Sequence, residues 1–137
     1  MIWVIIHGLV LLMALIIGVK NLAIGFERSR RWTFPIFQHK KLGIWFVALT
    51  ILGIILGYIG KTTFKNPKRE FLLPGHKTIF VFIAIFLILL IVSSLLRTRR
   101  YHRFRWFQKL HEWFAFILLV LYFAQFFTAA GRLLKLL

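Results

Sequence analysis

The chain has no cysteine and no aspartate. Without cysteine there is no disulfide frame, no Cys-ligated zinc, no iron–sulfur cluster and no thioether-attached haem. Any metal chemistry falls to histidine and to three carboxylates, Glu27, Glu70 and Glu112. Polar surface is equally scarce. Of the 137 residues 61% are apolar and 18% aromatic, against ~45–50% apolar in an ordinary soluble domain, which leaves too little polar surface to cover a soluble globule. The net charge of +16 would suit nucleic acid if it were spread among the apolar residues. Instead it comes in blocks between long uncharged runs, the layout of a polytopic membrane protein. A soluble nucleic-acid binder is excluded.

Four runs carry no Lys, Arg, Asp or Glu: Ile2 to Val19, Leu42 to Gly60, Thr78 to Leu96 and Trp113 to Gly131. Each is 18 or 19 residues long, and ~20 residues at 1.5 Å rise cross the ~30 Å hydrocarbon layer. Backbone groups in lipid must find partners within their own segment, so all four are helices. The expectation is an all-α, integral membrane four-helix up-down bundle. It forms a single transmembrane domain over 1–137 with spans near 2–25, 40–60, 76–96 and 111–131. The first run lacks a basic start and a small-residue cleavage site, and reads as a retained helix rather than a signal peptide. The connections are too short to fold as domains, which places function in or at the membrane.

Basic residues set the orientation. Twelve of the 19 Lys and Arg flank the first and third connections, among them Arg28, Arg31, Lys40, Arg99, Arg100 and Lys109. Seven lie on the other side, including Lys61, Lys77 and Arg132. The positive-inside rule puts the twelve in the cytoplasm and both termini outside.

Four of five histidines fall at the start of a span: His7, His39, His76 and His111. Because successive helices alternate direction, His7 and His76 reach the outer face, and His39 and His111 the cytoplasmic face. In an up-down bundle these are diagonal pairs, the geometry for axial ligation of a b-type haem iron from both sides. Small residues give a second test. A step of 18 residues is five turns, returning to the same helix face ~27 Å further along. From the four histidines that step lands on Gly25, Gly57, Ser94 and Ala129. All are small, as if each helix ligates one haem near its start and leaves room beside the other; Gly43 and Gly53 fall close to the same face of the second helix. The plainer alternative is that the histidines pack or hydrogen-bond and the small residues serve helix contact. His102, between Arg100-Tyr101 and Arg103, reads as a solvated loop residue and stays outside the ligand set.

From His39 onward the sequence resembles the cytochrome b561 superfamily of di-haem membrane proteins, closest to short b561-like bacterial and chloroplast proteins that carry a domain of unknown function. The matching pieces are His39-Lys-Lys-Leu42-Gly43, Gly57 to Gly60, Phe71-Leu-Leu-Pro74-Gly75-His76, and His111 followed by Gln125 and Thr128. They cover about 90 residues; helix one matches only in the placement of His7. Departures are Phe80, where the family has glycine four residues after its histidine, and Ala129 in place of glycine. The resemblance implies ligation of two haem b by His7, His39, His76 and His111, and electron transfer across the membrane. The expected location is a prokaryotic inner (plasma) membrane.

Lys40, Lys77 and Arg100 stand where haem propionates would meet the interface, although basic residues there also serve topology and anionic lipid. Trp3, Trp32, Trp106 and Trp113 suit the interfacial belt. Glu112 fits an interfacial pair with a nearby Arg or Lys better than a proton carrier. Gln125 faces roughly the His111 side of the fourth helix, available to a propionate or an inter-helix partner. The leading expectation is a b-type electron carrier. It has no flavin, nicotinamide or iron–sulfur motif, so its partners are membrane lipid and either a quinol or further redox subunits, in a homo- or hetero-oligomer. A structural membrane subunit without haem is the alternative class. A small exporter is disfavoured, because no carboxylate lies deep in a span.

Overall fold

The computed structural model describes residues 2–27, 35–63, 74–99 and 105–133. All of these but Pro35 are helical. The helices are α1 (Ile2–Glu27), α2 (Ile36–Thr63), α3 (Pro74–Arg99) and α4 (Arg105–Leu133). Each contains a stretch long and apolar enough to cross a membrane, so the chain is an all-α, four-helix membrane protein. The helices are 26, 28, 26 and 29 residues long and exceed the uncharged runs because Lys20, Lys40, Lys41, Lys77 and Lys109 lie within them. Such side chains bury an aliphatic stem and carry the charge to the interface, so a helix passes through them without interruption. Proline marks two of the starts. The Pro35 carbonyl accepts from the His39 N–H at 3.0 Å, closing the first turn of α2. Pro74 opens α3, where a missing N–H costs nothing.

Large apolar side chains face outward along all four helices, among them Ile5, Ile44, Phe82 and Phe127. In water this surface would aggregate; in a bilayer it meets lipid tails. The exposed Trp3, Trp106 and Trp113 suit the interfacial belt.

The chain divides into two compact units, 1–69 and 70–137. The first is an antiparallel α1–α2 hairpin. Its contacts step down α2 as they climb α1: the Trp3 side chain lies against Gly60, Leu11 against Gly53, Asn21 against Gly43, and His39 against Gly25. Glycine on both helices lets the backbones approach closely, the usual solution where lipid offers no hydrophobic drive to association. Ala14, Leu15, Phe46 and Thr50 are buried. The Thr50 hydroxyl donates to the Phe46 carbonyl within its own helix at 2.7 Å, so no polar atom of that side chain is left to lipid. The second unit is the α3–α4 hairpin, closed by polar contacts at both ends and by Phe86 edge-on to Phe114, with centroids 6.0 Å apart. Ile83, Leu87, Leu118, Leu119 and Tyr122 are buried.

Candidate functional site

All four span histidines are half-buried, and each meets the other helix of its own hairpin. His7 is the simplest. Its Nδ1 lies 2.7 Å from the Gly53 carbonyl oxygen. A carbonyl only accepts, so Nδ1 carries the proton and the lone pair of a neutral ring sits on Nε2. The ring reaches the main chain because α2 has no side chain there. A Cβ on Gly57 would stand 3.0 Å from His7 Cε1 and 3.1 Å from Nδ1, closer than such atoms pack without displacement. Gly57, one turn beyond Gly53, is a cradle for the imidazole.

His111 in α4 reaches the same state through a hydroxyl. Ser93 Oγ donates to the Leu90 carbonyl at 2.8 Å, which leaves its oxygen to accept from His111 Nδ1 at 3.0 Å. At the other end of this hairpin the Thr128 hydroxyl donates to the Gln125 carbonyl at 2.8 Å and stands 3.5 Å from His76 Nδ1. The Gln125 amide nitrogen lies 2.8 Å from His76 Nε2. His39 packs on Gly25, where a Cβ would be 3.4 Å from its Cε1.

Three of four histidines thus present Nδ1 to an acceptor on the neighbouring helix. That contact fixes tautomer and ring plane, as the outer partners of metal-ligating histidines do, and makes the opposite nitrogen more basic. The Nδ1 contacts of His7 and His111 and the glycine cradles fit a group ligated through imidazole Nε2, while at His76 the Gln125 amide lies on that nitrogen.

The small residues divide. Gly25 and Gly57 lie against the rings of His39 and His7, where the spacing predicts room beside a haem. Ser94 and Ala129 are exposed, and the residues that meet His111 and His76 are Ser93, Thr128 and Gln125. One residue along a helix is a turn of 100°, so Ser93 and Ser94 face different ways, and spacing within α3 does not say which of the two α4 meets. Lys40 and Lys77 are exposed, as propionate or lipid contacts would be. Arg100, His102 and Trp32 lie outside the described residues. Glu112 accepts from the Gln108 amide one turn back at 3.2 Å. Asn21 was missed from sequence: its Oδ1 is buried without a hydrogen bond, and its amide nitrogen would lie 3.4 Å from a Cβ on Gly43. A lone amide in an apolar run is the signal that could have singled it out.

Compared with models of known protein families, with curated proteins and with solved structures, the chain finds no match.

Proposed function

We propose that the chain is a b-type cytochrome of the b561-like kind, carrying electrons between the two faces of a membrane through two haem b. The observation that carries this reading is the hydrogen bond from His7 Nδ1 to Gly53, echoed by His111 on Ser93 and His76 on Thr128. A packing histidine has no need to have the same nitrogen satisfied at three separate places; a ligand needs its other nitrogen for iron, which His76 can offer once the Gln125 amide on its Nε2 is displaced. Haem bound by two imidazoles supplies reversible one-electron chemistry without an open iron position.

In this reading His7 and His76 hold the outer iron, and His39 and His111 the cytoplasmic one. Gly57 and Gly25 make room for the His7 and His39 rings. Lys40, Lys77 and Arg100 are the candidate propionate partners. Both termini lie outside a prokaryotic inner membrane, as the basic asymmetry implies. A C-terminal reporter active only in the cytoplasm would reverse that orientation. The electron donor is a membrane quinol or a partner redox subunit.

The test is direct. Protein purified from haem-sufficient cells should be red, with two haems per chain and a reduced-minus-oxidised spectrum of bis-histidine type. A colourless preparation would instead favour a structural membrane subunit in which the histidines only pack.

A further inference from the structure

Gln125 lies near the C-terminal end of the apolar span of α4 and is only 7% exposed. Its amide is half satisfied. Nε2 lies 2.8 Å from His76 Nε2, while Oε1 is buried with no hydrogen-bond partner. The neighbouring contact settles which atom donates. Thr128 spends its hydroxyl proton on the Gln125 carbonyl, so its oxygen accepts from His76 Nδ1. A neutral ring protonated at Nδ1 has its lone pair at Nε2, and the Gln125 N–H donates into that lone pair.

An iron ligated by His76 would need the same lone pair. Resting on the haem reading above, we propose that Gln125 is a placeholder on His76. It occupies the ligating nitrogen while the site is empty and must be displaced when iron binds. Gln125 is therefore a positioning residue that sets how tightly this end of the chain holds haem. The orphaned Oε1 is consistent with that role. An amide selected to stabilise the fold would have both ends paired, and this one has a single partner, which metal binding removes. Thr128 still orients the ring after the amide leaves, so displacing Gln125 does not free His76 to turn.

The experiment uses the full chain in detergent micelles, freed of haem and titrated with ferric haem b. Gln125→Leu should tighten one of the two binding steps roughly three- to tenfold, the equilibrium worth of one buried hydrogen bond, and leave the other unchanged. The gain should vanish in a His76→Ala background. In the haem-free protein, the ¹⁵N resonance of His76 Nε2 should move when the amide is removed, a response that mere packing would not give. Gln125→Ala repeats the test without added bulk if the leucine variant does not fold. Two haems bound with affinities indifferent to both substitutions would overturn the placeholder and leave the haem reading standing. No haem uptake by the unsubstituted protein would overturn both.

Discussion

Ser93 and Ser94 are chemically identical neighbours with different surroundings. Ser93 is buried and hydrogen-bonded to His111, whereas Ser94 is exposed. The 18-residue spacing selects Ser94, because it measures rotation within one helix. Contact with His111 depends on how α4 is registered against α3, which spacing along α3 does not contain. Gly25 and Gly57 fall on histidines because both helices of the first hairpin carry the same His-to-Gly step, and antiparallel packing sets each His on the other helix's Gly; the spacing marks both as small-residue positions but assigns the space beside them to haem. The pair of serines supplies its own control. Ser93→Ala removes the acceptor for the His111 Nδ1 proton and should cost about 1 kcal/mol of stability and, if His111 ligates haem as proposed, change the redox midpoint of one haem. Ser94→Ala should leave both unchanged. Equal effects of the two substitutions in thermal unfolding and redox titration would mean that the α3–α4 register is wrong.

Whole helices are far more legible than the contacts between them. A run without charge is visible in any reading of the chain, and lipid permits little else than a helix. The ends are less visible, since Lys40, Lys77 and Lys109 look like boundaries yet lie inside α2, α3 and α4. The pairing of α1 with α2 makes a sharp prediction because the chain has no native cysteine. A Cβ on Gly60 would lie 3.6 Å from the Trp3 Cβ, within the ~3.5–4.5 Å separation that a disulfide spans. The double variant Trp3→Cys with Gly60→Cys should therefore cross-link under mild oxidation, seen as a mobility shift reversed by reductant. Trp3→Cys with Tyr58→Cys should not, since Tyr58 is exposed and two residues along α2 turn the side chain through ~200°. Cross-linking of the second pair in preference to the first would reject the hairpin register.

At the scale of the molecule, each hairpin has one histidine toward each of its ends. His7 meets α2 at Gly57, and His39 meets α1 at Gly25, 18 residues beyond His7 and so ~27 Å along the axis. Two imidazoles that far apart cannot share one iron. The second hairpin repeats the arrangement, with His76 against Gln125 and His111 against Ser93. A bis-histidine site therefore needs histidines from two hairpins, supplied either by the two halves of one chain or by two copies. Alanine substitution at each histidine distinguishes these cases. If one chain supplies both ligands, His7→Ala and His76→Ala should remove the same spectral component, and His39→Ala and His111→Ala the other. The surviving haem should keep its midpoint potential within the scatter of the titration. If two copies supply them by setting each histidine against its own symmetry mate, each iron is held by the same histidine twice. His7→Ala would then erase a component that His76→Ala leaves intact, and the preparation would be an even-numbered oligomer by light scattering. Joint loss for His39→Ala and His76→Ala would fit neither arrangement and would require different neighbours across the bundle.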